Sequence, residues 1–96
     1  MKTKRWSRTA FRDELKTKFG HLLADEEGIS LREARHDIGA LSREQLEQIY
    51  ESAKARMAGD EEERAEIPFC AVVDEVEVHD LLPTLAWNAA AARRKV

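Results

Sequence analysis

Three serines open three runs of helically spaced apolar residues between positions 7 and 59, and each run is followed by a glycine. This punctuation limits that part of the chain to short helices. Ser7 is placed to cap the first helix with its hydroxyl. Trp6 before it and Phe11 at the fourth helical position have the spacing of a hydrophobic staple. Phe11, Leu15, Phe19, Leu22 and Leu23 then form one stripe, with Gly20 inside it as a close helix contact or a break, and Gly28 as a left-handed stop. Ser30-Leu31-Arg32-Glu33 reads as a capping box, followed by Ala34 and Ile38 and closed by Gly39. Ser42-Arg43-Glu44-Gln45 repeats the device. Leu41 and Leu46 have staple spacing, Leu46, Ile49, Tyr50, Ala53 and Met57 share a face, and Gly59 ends the run.

The last third is less sharply marked. Asp60 to Glu63 can open a short helix, but an exposed acidic connector over 59–67 is the favoured reading. From Phe69 to Val78 four valines argue for a strand. No second strand is evident to pair with it, so a strand here needs a second copy of the chain or a partner's sheet edge. A helix with Val72, Val73 and Val76 inward is preferred, because an unpaired strand leaves its backbone groups unsatisfied. A final helix follows, with Asp80 as its cap, Pro83 in its first turn, and Leu82, Leu85, Ala86, Ala89 and Ala90 on a small-residue face. The expected fold is mainly α: a compact bundle of four to five short helices, with one isolated strand at 69–78 as the alternative. The 96 residues are expected to form a single small helical domain, 1–96, with a basic N-terminal arm at 1–6.

Chemistry-bearing constellations are sparse. His21, His36 and His79 share no metal-ligand spacing, and a lone cysteine gives neither a disulfide nor a Cys-x-x-Cys pair. Cys70, between Phe69 and Ala71, reads as a buried structural thiol. No catalytic residue, cofactor or metal site is assigned, and a non-enzymatic protein is expected. No apolar run approaches the ~20 residues of a membrane span. With no secretory leader read, the expected location is the cytoplasm, without a membrane partner.

Charge is unevenly distributed. Met1 to Leu22 carries seven basic residues against Asp13 and Glu14. Leu23 to Glu66 carries thirteen acids against six bases. The net charge of −3 therefore conceals a basic entry and an acidic middle, a pattern that bears on partners rather than fold. Two functions follow. The preferred one is a small binding or regulatory protein, an inhibitor or adaptor, that meets a basic protein partner through Asp60, Glu61, Glu62, Glu63 and Trp87. Trp87 with Leu81 and Leu82, or Val76 with Val78, can supply an apolar or homodimer contact. The other is a helix-turn-helix-like transcriptional regulator. It would read DNA through 31–57, and would grip nucleic acid with Lys2, Lys4, Arg5, Trp6, Arg8 and Arg43. Glu44, Glu47 and Glu51 on the would-be recognition helix oppose that reading, because they repel phosphate.

Overall fold

The serine caps form where the sequence places them. The computed structural model describes residues 6–94. Ser7 Oγ accepts from the Ala10 N–H at 3.0 Å and opens α1 (Arg8–Glu27), which Gly28 ends at φ 66°. A side chain at Gly28 would be strained there, so this glycine is a true left-handed stop. Ser30 opens α2 (Leu31–Gly39) by accepting from the Glu33 N–H at 3.1 Å. Only this forward half of the expected capping box forms. At α3 (Arg43–Met57) both halves are present: the Gln45 N–H donates to Ser42 Oγ at 3.1 Å, and the Ser42 N–H to Gln45 Oε1 at 2.9 Å. Gly39 and Gly59 are not left-handed stops, because Gly28 is the one described residue with positive φ. The helix ends beside them turn at Ala40 and Ala58 instead.

Three further helices complete the described chain, for a total of six rather than four or five: α4 (Glu61–Glu66), α5 (Phe69–Glu75) and α6 (Val78–Arg94). The segment read as an acidic connector is thus mostly helical, and Asp60 caps it by accepting from the Glu62 N–H at 3.0 Å. No strand forms among the described residues. The valine-rich stretch is helical because Val72, Val73 and Val76 fall on one face and bury together, which overrides their preference for a strand. The same geometry turns Cys70 outward, so the thiol expected to be buried is exposed. Residues 1–5 of the basic arm lie outside the described residues.

One continuous core joins all the described helices except α4, which buries no residue. Phe11, Leu15, Phe19 and Leu23 of α1 meet Ala34 and Ile38 of α2, Leu46, Ile49, Tyr50 and Ala53 of α3, and Phe69, Val72 and Val73 of α5. Leu41, Val76 and Leu81 close it. Leu81 and Val76 are therefore core residues, not the exposed contacts considered for them. Leu22 and Met57, read as core, are 44% and 39% exposed at the margins of their stripes. Helix α2 folds back along α1, and Gly20 permits the approach: a Cβ there would lie 3.2 Å from Leu31 Cδ1. Trp6 staples the start of α1 as its spacing predicts, with its ring 5.2 Å from Phe11 and 4.5 Å from Tyr50.

The break between α5 and α6 is held by two cations from other helices. Lys18 Nζ donates to the carbonyls of Val73, Asp74 and Val76 at 2.7, 2.8 and 2.7 Å. Arg56 donates to the Glu75 carbonyl at 3.3 Å, and the Val72 carbonyl accepts from the Val76 N–H at 3.2 Å. The last carbonyls of α5, which have no partner within the helix, are thereby satisfied at its negative end. Lys18→Met keeps the aliphatic stem and removes the ammonium. It is expected to lower stability by about 1–3 kcal/mol, the worth of hydrogen bonds from a charged group. Amide exchange should accelerate first around residues 74–78, and unchanged exchange there would contradict the capping role.

Candidate docking helix

Helix α6 is fixed at its first turn and midway, and is poorly covered beyond. Arg56 grips Asp80 through two hydrogen bonds, Nη1 to Oδ1 at 3.0 Å and Nη2 to Oδ2 at 2.7 Å. Asp80 also accepts from the Glu77 N–H at 2.9 Å. It therefore acts from the third helical position, reaching back to the cap residue, rather than as the cap itself. Pro83 falls in the second turn of the helix, not the first. Two turns after Asp80, Asn88 and Gln45 exchange amide hydrogen bonds at 2.8 and 3.2 Å. These contacts lay α6 antiparallel to α3.

Between Leu81 and Ala92 the helix has no charged residue, and its polar residues are Thr84 and Asn88. A helix apolar on all sides is ordinarily a buried one. Here Leu81 alone is fully buried. Leu82 and Leu85 are half-buried, while Pro83, Ala86, Ala89 and Ala92 are exposed and Trp87 is 63% exposed. The expected small-residue face is present, but its own chain leaves much of it uncovered. Clefts undercut the helix on both sides. Toward α3 a cavity of about 280 Å³ lies among Gln45, Gln48, Pro83, Thr84 and Trp87. Toward α1 and α2, cavities of about 270 and 220 Å³ share Asp37, Leu85 and Ala89 in their walls.

The other residues singled out in the sequence are dispersed. Glu61, Glu62 and Glu63 are exposed on α4, beyond the C-terminal end of α3, whereas Trp87 lies against its N-terminal half. At 1.5 Å per residue, Gln48 and Met57 are roughly 14 Å apart along the α3 axis. Asp60 is engaged in capping α4. Trp6, Arg8 and Arg43 do converge, lining a cavity of about 360 Å³ with Ser7 and Thr9. Within that group Arg43 pairs with Glu47 at 3.1 Å, and Trp6 is packed against Tyr50. Lys2, Lys4 and Arg5 lie outside the described residues. Helix α2 packs chiefly along α1. Glu27, Asp37 and Arg93, which line the cleft beneath α6, were not anticipated. They come from three helices, and no sequence spacing links them.

Among the described residues no three histidine, cysteine, aspartate or glutamate side chains gather as a metal site, and no helix is long and apolar enough to cross a membrane. The chain matches no protein-family model, no curated protein and no solved structure.

The grip on Asp80 has a pH signature. Burial pushes its carboxyl upward, but hydrogen bonds from Arg56 and the Glu77 N–H, with the charges of Arg56 and His79, outweigh burial and hold it below the usual carboxylate range. A lowered pKa contributes stability that is present above the unfolded value of about 3.9 and is lost as pH falls through the folded one. Asp80→Asn should therefore flatten the acid limb of a stability–pH profile below about pH 4. An unaltered limb would assign the acid sensitivity to other carboxylates.

Proposed function

We propose that this is a non-enzymatic binding or regulatory protein, and that α6 is the element it presents to a protein partner. The supporting observation is the uncharged, all-round apolar stretch from Leu81 to Ala92, of which Leu81 alone is buried by the rest of the chain. Alanines give a partner close access to the backbone. Trp87 beside them is the kind of large aromatic anchor that dominates binding energy at interfaces. The basic start and acidic middle of the chain steer the encounter rather than supply most of its affinity. A role as an inhibitor or adaptor fits this size and surface.

A photo-crosslinking residue at position 86, with a second at position 62 on α4, tests this in the native host. Position 86 is expected to capture a stoichiometric partner, and Ala86→Glu and Trp87→Ala to weaken the complex at least tenfold while leaving the helical circular dichroism unchanged. Capture from position 62 in place of 86 would move the interface to the acidic helix and refute the role of α6.

The convergence of Trp6, Arg8 and Arg43 on one cleft favours a second reading, contact with a nucleic-acid backbone at the start of α1. On that reading short duplexes shift in a gel at low salt, the shift weakens as salt rises, and Arg8→Ala with Arg43→Ala diminishes it. No shift at low salt removes this reading.

A further inference from the structure

The cleft between α6 and the α1–α2 turn combines apolar walls with acidic groups. Leu23, Ile29 and Leu85 supply apolar wall, while Glu27 and Asp37 supply carboxylates. Neither carboxylate has a hydrogen-bond or ion-pair partner among the described residues. Both stand near helix C-termini, Glu27 as the last residue of α1 and Asp37 in the last turn of α2. Helix ends of that polarity already carry partial negative charge, and cations are the groups they favour. Yet α1 has no basic residue in its last turn, and Asp25 and Glu26 precede Glu27 there. At the end of α1 the chain thus concentrates negative charge where its backbone disfavours it, next to an apolar slot under an uncovered helix. Local choices that oppose their own element are expected at functional sites. Arg93 also lines the cleft and is the one cation in its wall among the described residues.

We propose that this cleft receives a basic amphipathic segment of the partner protein. The segment sets a lysine or arginine against Glu27 and Asp37 and lays apolar side chains on Ile29 and Leu85. The inference rests on the reading of α6 as the docking helix and adds the partner's chemistry to it. A cation brought to the cleft relieves the repulsion among the acids and complements both helix ends. Its own aliphatic stem covers apolar wall while its charge reaches the rim. Arg93 competes with it, so the cleft holds an internal measure of the same electrostatics.

The test uses the full-length protein labelled for NMR and a synthetic amphipathic helix of leucine and lysine, with a leucine–glutamate counterpart of the same pattern. The lysine peptide is expected to shift the amide signals of Leu23, Ile29, Asp37, Leu85 and Ala89. Glu27→Gln with Asp37→Asn should weaken it by about tenfold at low salt, as the loss of two partly exposed ion pairs implies. Arg93→Ala should tighten it, and replacing Glu61, Glu62 and Glu63 by glutamine should leave it unchanged. Equal binding of the two peptides, or equal weakening by the α4 replacements, would overturn the proposal. Shifts confined to Trp87 and Gln48 would overturn it too, while leaving the docking role of α6 intact.

Discussion

The carbonyl end of α5 decides how the second half of the molecule is arranged. A seven-residue helix cannot stabilise itself in water. This one ends in exposed carbonyls unless something supplies donors. Lys18 reaches it from α1 and Arg56 from α3, so the same short helix is tied to both halves of the core. Arg56 then also grips Asp80, which fixes the first turn of α6 and its direction. One guanidinium thereby joins the end of α3, the end of α5 and the start of α6. The course of α6 along α3, and with it the clefts on both sides, follows from that junction and from the Asn88–Gln45 pair two turns further along α6.

Much of the first half was legible because its determinants are local. A serine three residues from the N–H it caps, or a tryptophan five residues before the phenylalanine it staples, can be read from spacing alone. The same is true of Gly28, whose left-handed backbone only a glycine adopts without cost. Where the reading failed, the determinant was distant. Lys18 and Val73 are 55 positions apart, and nothing in either neighbourhood announces their bond. Cys70 was placed inside because its neighbours are apolar, but the period of α5 turns it outward once Phe69, Val72 and Val73 define the inner face. The valines compose like a strand, yet the preferred helix with Val72, Val73 and Val76 inward is the one that forms, because their shared face is buried. The candidate interface was half legible. Trp87 is singled out by the sequence as a candidate contact, whereas Glu27 and Asp37 meet Leu85 only through the fold.

Charge placement along α1 sets one end of the molecule against the other. Arg8 opens the helix and Asp25, Glu26 and Glu27 close it, so both ends oppose the backbone dipole. Over the roughly 30 Å of a 20-residue helix this separates a positive end, near Arg43, from a negative end, near Asp37. The core takes no part in that polarity, because the buried side chains of α1, Phe11, Leu15, Phe19 and Leu23, are uncharged. Under the proposed binding role this polarity would orient a charged partner before contact, and salt would weaken it over a Debye length of about 8 Å at physiological ionic strength.

An uncovered apolar helix raises the question of what keeps it helical. For α6 the answer lies in the residues that make it unusual. Ala89 to Ala92 have the highest intrinsic helix propensity and little side-chain entropy to lose. The costly step, forming the first turn, is already accomplished by Asp80 held between Arg56 and the Glu77 N–H. Leucines or valines in place of the alanines would pack the cleft more fully but would broaden the exposed apolar face into an aggregation hazard. Alanine lets the helix persist with little covering and limits the apolar area shown to water. On the proposed docking role, a partner would meet a helix that is already formed, and the ordering cost that weakens many docking segments would be small.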